Sequence, residues 1–262
     1  MAAVSAISKP SRDIQHDFCT RVADGIYWVD DHFVNWYIIQ DGNDLTIVDA
    51  GVPASWRTFE RALTRLGRNK QDVRALVLTH GHFDHIGFAE RMRATLGIPV
   101  WAHADEKRLI EHPMRYQCES SALRYLWRPQ VARIFSSYAR RGAFFPRLIR
   151  EVRTFHDDQR LDVPGSPRVV ATPGHTAGHA ALHLADRGCV IAGDALVTLN
   201  PFTGGTGPQL IARAATADSR QAMASLDRIA DTGAALVLTG HGQPWREGAA
   251  EAVRRAKEVG YT

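Results

Sequence analysis

Within six residues, His80-Gly81-His82-Phe83-Asp84-His85, the chain places three imidazoles and a carboxylate directly after the hydrophobic run Ala75-Leu76-Val77-Leu78. Neutral imidazole nitrogens and carboxylate oxygens are ligands for zinc and similar divalent ions. A tight Gly-containing loop at a strand end can turn several of them toward one point. The pattern H-x-H-x-D-H therefore reads as a metal site, or half of one. The same device recurs three times: His175 follows Val169-Val170-Ala171 through Thr172-Pro173-Gly174, Asp194 follows Cys189-Val190-Ile191-Ala192 through Gly193, and His241 follows Ala235-Leu236-Val237-Leu238-Thr239 through Gly240. Loops at one edge of a sheet converge in space, so these groups can meet although they are remote in sequence.

Strands and helices must hold those loops in place. Strand patterning starts near Gly25, with apolar runs at residues 26 to 29, 35 to 39 and 45 to 49. Asp41-Gly42-Asn43-Asp44 is a hairpin signal between the last two, so an antiparallel start is expected. Trp56, Phe59, Leu63 and Leu66 recur at spacings of three and four, which predicts an amphipathic helix over residues 53 to 66 closed by Gly67. Asp84 is placed to cap a helix over residues 85 to 96, which stops at Gly97-Ile98-Pro99 before a short strand over 99 to 102. Strand, helix and strand at this spacing form a βαβ-type unit. Further on, residues 169 to 171, 181 to 184, 189 to 192 and 235 to 239 read as strands, 200 to 208 as a Gly-rich loop, and 219 to 229 and 247 to 259 as helices.

Residues 104 to 160 differ in texture. They hold eleven arginines and eight of the 22 aromatics, at helical spacing, with Pro113, Pro129 and Pro146 as breaks. This predicts a helical insertion, either a solvated face packed by aromatic core residues or a cap over the substrate.

At 262 residues the chain can bury a full core, and 45% apolar with 23% charged residues is ordinary for a globular protein. The net charge of +4 is spread rather than gathered in a basic tail, so nucleic acid is not the expected partner. Cys19, Cys118 and Cys189 are distant and odd in number, which excludes a disulfide framework and a thiolate zinc site and favours a reducing, cytoplasmic setting. Residues 1 to 17 are expected to be a frayed arm without a secretory pattern, and no apolar run reaches membrane-spanning length.

From about residue 25 to residue 245 these motifs resemble the metallo-β-lactamase fold hydrolase superfamily: Asp49 in V-D-A-G, the His80 to His85 cluster, His175 in T-P-G-H-T-x-G-H, Asp194 in G-D, and His241 in T-G-H-G. The resemblance implies an α/β fold, an αββα four-layer sandwich of two mixed β-sheets flanked by helices. It would be one domain over residues 1 to 262 carrying the insertion at about 104 to 160. It also implies two divalent metal ions, zinc first, with iron or manganese as alternatives. One ion would be held by His80, His82 and His175, the other by Asp84, His85 and His241, with Asp194 bridging. A bridging hydroxide would be the nucleophile, because coordination brings the pKa of water to about 7. Asp84 or a metal-bound water would protonate the leaving group. Asp49 and His179 would support the ligands from behind.

The superfamily supports many reactions, so departures matter more than likeness. True β-lactamases generally carry Cys or Ser where Asp194 stands. Glyoxalase II-like thioesterases add a long C-terminal helical region, whereas 21 residues follow His241 here. Acyl-homoserine lactonases carry a Tyr where this chain has Val197. The expected function is a binuclear metal-dependent hydrolase of a small ester, thioester or lactone. The alternatives are a nuclease or phosphodiesterase served by the arginines, and a mononuclear iron oxygenase of the persulfide dioxygenase type, which would leave His85 and His241 spare. The expected partner is a small-molecule substrate, with no membrane; the sequence does not indicate the oligomeric state.

Overall fold

The central strands of the first sheet are apolar on both faces, and only a layered arrangement can satisfy that. The computed structural model describes residues 17 to 262; the arm expected over residues 1 to 17 lies, but for Asp17, outside the described residues. Strands β1 (Cys19–Ala23), β2 (Ile26–Asp31), β3 (Val34–Asp41) and β4 (Asp44–Val48) form an antiparallel meander. After helix α1 (Ser55–Arg65), strand β5 (Val73–Val77) pairs parallel with β4. Helix α2 (Ala89–Leu96) then leads to β6 (Val100–His103), parallel to β5. Helices α3 (Lys107–Glu111) and α4 (Pro129–Arg140) precede β7 (Arg153–Phe155), which completes the seven-stranded sheet.

The second sheet has four strands in the order β13-β10-β9-β8, from β8 (Arg168–Ala171), β9 (Ala180–Leu184), β10 (Cys189–Gly193) and, later in the chain, β13 (Leu236–Thr239). Between β10 and β13 lie a small hairpin of β11 (Val197–Leu199) with β12 (Thr206–Gln209), and helix α5 (Ser219–Ala230). Helix α6 (Ala249–Val259) ends the chain.

Residue alternation sets the four layers. In β3, Tyr37 and Ile39 face the second sheet and pack with Leu182, Ile191 and Leu238, while Trp36 and Ile38 face outward onto Trp56 and Phe59 of α1 and Met92 of α2. Val190 and Val237 turn the other way, onto Leu226 of α5 and Val253 of α6. Each such fully buried side chain contributes roughly 1.5–3 kcal/mol relative to exposure. The αββα sandwich implied by the resemblance is thus the architecture found.

Three local expectations are corrected. The helix expected from residue 85 begins at Ala89, capped by Phe88 and not by Asp84. The intervening backbone instead bonds across to the exit of β4, with Gly87 N–H donating to Gly51 O at 2.7 Å and Phe88 N–H to Ala50 O at 3.0 Å. A Cβ on Gly87 would lie 2.2 Å from the Val52 carbonyl carbon, so this close approach requires glycine. Residues 153 to 155, expected within a helical segment, form the edge strand β7, because Phe155 fills the core between the sheets and Arg153 covers the Trp101 ring at 5.6 Å. Part of the loop expected at 200 to 208 is β12, whose partner strand β11 is too short to carry a periodic signal.

Candidate metal centre

Parallel strands end at a common edge. Strands β4 and β5 in one sheet, and β10 and β13 in the other, run parallel in pairs, so Asp49, His80, Asp194 and His241 all emerge where their strands stop. The β8–β9 loop delivers His175 to the same edge. All seven residues anticipated as ligands are buried there. Their ligand atoms gather into two groups, His80 with His82 and His175, and Asp84 with His85 and His241, each within 4.8 Å.

Asp194 lies between the groups. Its Oδ2 is 3.5 Å from His175 Nε2, 3.9 Å from His80 Nε2, 3.6 Å from His85 Nε2 and 3.2 Å from His241 Nε2. A Cβ on Gly240 would fall 1.9 Å from Asp194 Oδ1, so the carboxylate occupies this position only because residue 240 has no side chain. Behind the carboxylate, His179 does what was expected of it: Asp194 N–H donates to His179 Nε2 at 3.1 Å. That leaves the proton on Nδ1, which donates to Thr172 Oγ1 at 2.8 Å.

Asp49 supports the other loop. Its Oδ1 accepts the Thr79 N–H at 2.8 Å, and its Oδ2 accepts both Thr79 Oγ1–H at 2.8 Å and His85 Nδ1–H at 3.0 Å. Since the Thr79 proton is used, its oxygen accepts from His80 Nδ1–H at 3.0 Å. His241 Nδ1–H donates to Phe33 O. In each of these three histidines the protonated nitrogen points away from the centre, leaving an Nε2 lone pair aimed into it. Asp49, His80 and His85 also cluster within 4.8 Å, but these hydrogen bonds already account for that grouping.

The donor set fits divalent ions. Among the described residues, His80 Nε2, His82 Nε2, His85 Nε2, both nitrogens of His175 and Asp194 Oδ1 are buried with no hydrogen-bond partner. Stranding that many polar atoms is costly unless cations take them up. Burial, reinforced by neighbouring imidazoles, holds His80 and His175 well below the usual imidazole range, and burial brings His82 down to about 4. These rings are therefore neutral, as ligation needs. Burial also opposes charge on His85 and His241, yet the Asp194 carboxylate outweighs it and shifts both upward.

Two contributors carry no motif. Glu106, on the turn after β6, is buried and accepts Gly81 N–H through Oε2 and Gly178 N–H through Oε1, each at 2.7 Å. Its place just past a parallel strand end is the signal that could have found it. Tyr138 of α4 donates its Oη–H to Asp84 Oδ2 at 3.0 Å. Spaced four residues from Ile134, it reads in the sequence as an ordinary core position. Part of the insertion thus closes over the centre, anchored by the ion pair of Arg141 with Asp31 at 2.6 Å. His103, His112, His156 and His183 stand outside both ligand groups.

The site and the sandwich define a family. Residues 29–241 match the metallo-beta-lactamase superfamily, and the chain belongs to it as a metal-dependent hydrolase. It is 28% identical over 242 residues to the probable metallo-hydrolase YflN of Bacillus subtilis, covering 85% of each chain. It is 26% identical over 172 residues to the hydroxyacylglutathione hydrolase GloC of Haemophilus influenzae, covering 65% of this chain and 67% of that one. The crystal structure of the metallo-beta-lactamase family protein TTHA1429 from Thermus thermophilus superposes with a TM-score of 0.64 at 29% identity, over 90% of this chain and 78% of that one.

Proposed function

We propose that the protein hydrolyses a small carboxylic ester, thioester or lactone at a binuclear centre, with zinc the expected metal. The observation that carries this reading is the position of Asp194 Oδ2, within 3.9 Å of four imidazole nitrogens drawn from both ligand groups. Two ions bound there would lower the pKa of water to about 7 and polarise the scissile carbonyl. The chain's own residues do the rest. His80, His85 and His241 are locked in the ligating tautomer by Thr79, Asp49 and Phe33. Asp84, oriented by Tyr138, takes a proton on its carboxylate and passes it to the departing alkoxide or thiolate.

The cavity above the centre favours acyl chemistry over phosphodiester cleavage. It is lined by Phe83, Ile134, Phe135, Phe202 and Ile211 beside the ligands, so a phosphate seated in it would meet no cation; Arg108 and Arg115 line a separate lobe beyond Tyr116. The similarity to the hydroxyacylglutathione hydrolase GloC supports a thioester. The test is hydrolysis of a generic thioester by protein as isolated, after chelation, and after readdition of Zn2+, Fe2+ or Mn2+, with elemental analysis of each sample. Loss and recovery of activity with two ions per chain are expected. Activity indifferent to chelation, or one ion per chain at full activity, would sink the reading.

A further inference from the structure

Two cavities meet at the candidate centre, and they differ in chemistry. His82, Tyr116 and His175 line both, so the Tyr116 ring, 4.9 Å from the His82 ring, stands as a partition above the ligands. On one side is the apolar lobe described above, about 40 Å³, room for roughly three water-sized groups at about 10–15 Å³ each. On the other side is a lobe of about 190 Å³ that includes Arg108 of α3, Arg115, Gln117 and Thr176.

The cations of this second lobe are unpaired. Among the described residues, neither the Arg108 nor the Arg115 guanidinium makes a hydrogen bond or ion pair. By contrast, Arg141 is paired with Asp31, and Arg128 donates to Thr203 O at 2.7 Å. The lobe's two acids, Asp105 and Glu106, match them in formal charge but pair with neither. Both Glu106 oxygens are engaged by backbone amides, and the Asp105 carboxylate lies 3.6 Å from His103 Nδ1. Two free guanidiniums beside a reaction centre suit a carboxylate or another small anion.

Resting on the hydrolase reading, we propose that the substrate is a carboxylic ester or thioester bearing an anion on one flank of the scissile carbonyl and a short hydrocarbon group on the other. The anion lies between Arg108 and Arg115, the hydrocarbon against Phe83 and Phe202, and the carbonyl beneath Tyr116. For a thioester, a water oxygen bonds to the carbonyl carbon as the C–S bond breaks. One water proton reaches the departing sulfur and the other is released to solvent, so a carboxylate and a thiol result, with no oxidant or reductant.

Three thioesters test this on the metal-loaded protein, each followed by thiol release: the S-ethyl half-thioester of succinic acid, S-acetyl-3-mercaptopropionate, and uncharged S-ethyl thioacetate. One of the two anionic compounds is expected to exceed the uncharged one at least tenfold in kcat/KM, and which one does so tells whether the anion belongs to the acyl or the thiol side. The Arg108→Gln/Arg115→Gln variant is expected to raise KM for that compound at least tenfold, with a smaller effect on kcat. Lengthening its hydrocarbon flank to eight carbons should lower kcat/KM at least tenfold. Equal turnover of charged and uncharged thioesters, an unaltered KM in the variant, or equal use of the eight-carbon homologue would each overturn the proposal while leaving the hydrolase reading intact. Hydrolysis of none of the three would overturn this proposal together with the thioester part of the reading it rests on.

Discussion

Glu106 and Gly178 are joined by a 2.7 Å hydrogen bond from the glycine amide to Oε1, and the opposite oxygen of the same carboxylate holds the Gly81 amide at the same distance. A single side chain thereby fastens two of the histidine-bearing loops, those of His80 and His175. Glu106→Ala strands two buried N–H groups, which costs on the order of 2–4 kcal/mol. For a chain of this size that lowers Tm by roughly 4–16 °C. Loosened ligands should also weaken metal binding by roughly tenfold to a hundredfold. Calorimetry and metal titration of the variant check both; unchanged metal affinity would mean that the loops hold themselves.

Stripping the metals should destabilise the fold as well as silence it. Ions that bind only the folded chain contribute about 4 kcal/mol when present at a thousand times their dissociation constant. The melting temperature should therefore fall by roughly 8–16 °C for each ion lost on chelation and return when ions are restored. A thermogram insensitive to chelator would contradict the fit of the donor set.

Acid should act in one direction. Burial depresses His82 to about 4 and His179 to about 3, and moves His80 and His175 well down. Unfolded histidines take up protons below about 6.5 whereas these do not, so the unfolded chain binds more protons and stability falls as pH drops. Each such group contributes up to about 1.4 kcal/mol per pH unit between its two pKa values. His85 and His241, shifted upward, act in the opposite sense only above about 6.5, because below it they are protonated in both states. Urea midpoints of metal-free protein should decline from pH 6.5 to 4.5. His179→Gln should shallow that slope by about one proton; a flat wild-type profile would refute the assignment.

Tyr138→Phe removes the hydroxyl that orients Asp84 and keeps the ring against Phe83, whose centroid lies 6.0 Å away. Stability should change by about 1 kcal/mol, the net worth of one hydrogen bond. If Asp84 moves the proton, kcat should drop about tenfold, at the low end of what positioned proton transfer supplies, with KM little altered. A rise in KM alone would instead assign Tyr138 to substrate binding.

Thiol chemistry offers a check on the core. All three cysteines are free; burial pushes the Cys19 thiol up to about 11 and Cys189 up to about 12, while Cys118 is exposed. One equivalent of thiol should react with an aromatic disulfide in native protein at pH 8, and three after unfolding. More than one fast equivalent would show that β1 or β10 opens readily.

The candidate ligands were legible in the sequence because they sit in short loops just past apolar strands, all but Asp84 and His85 beside a glycine, and that local pattern limits where the side chains can point. The sandwich was legible only through the family resemblance those motifs carry; the strand patterning by itself gave the strands and not their layering. Glu106 and Tyr138 were not, because their roles depend on contacts 25 and 54 residues away in the chain and leave no periodic mark. The start of α2 was misplaced because Asp84 has the chemistry of a helix cap, while the backbone after it finds better partners in Gly51 and Ala50. Likewise β7 was hidden in an arginine-rich stretch, where only the unpaired edge of β6 turns three residues into a strand.

His80, His82, Asp84 and His85 leave the chain from the seven-stranded sheet, whereas His175, Asp194 and His241 come from the four-stranded one. Ions seated among them would rivet the two halves of the sandwich along one rim. Pulled apart at that rim, the loaded molecule should yield at far higher force than the stripped one, and while the rim holds, the halves could separate only by hinging open from the opposite side.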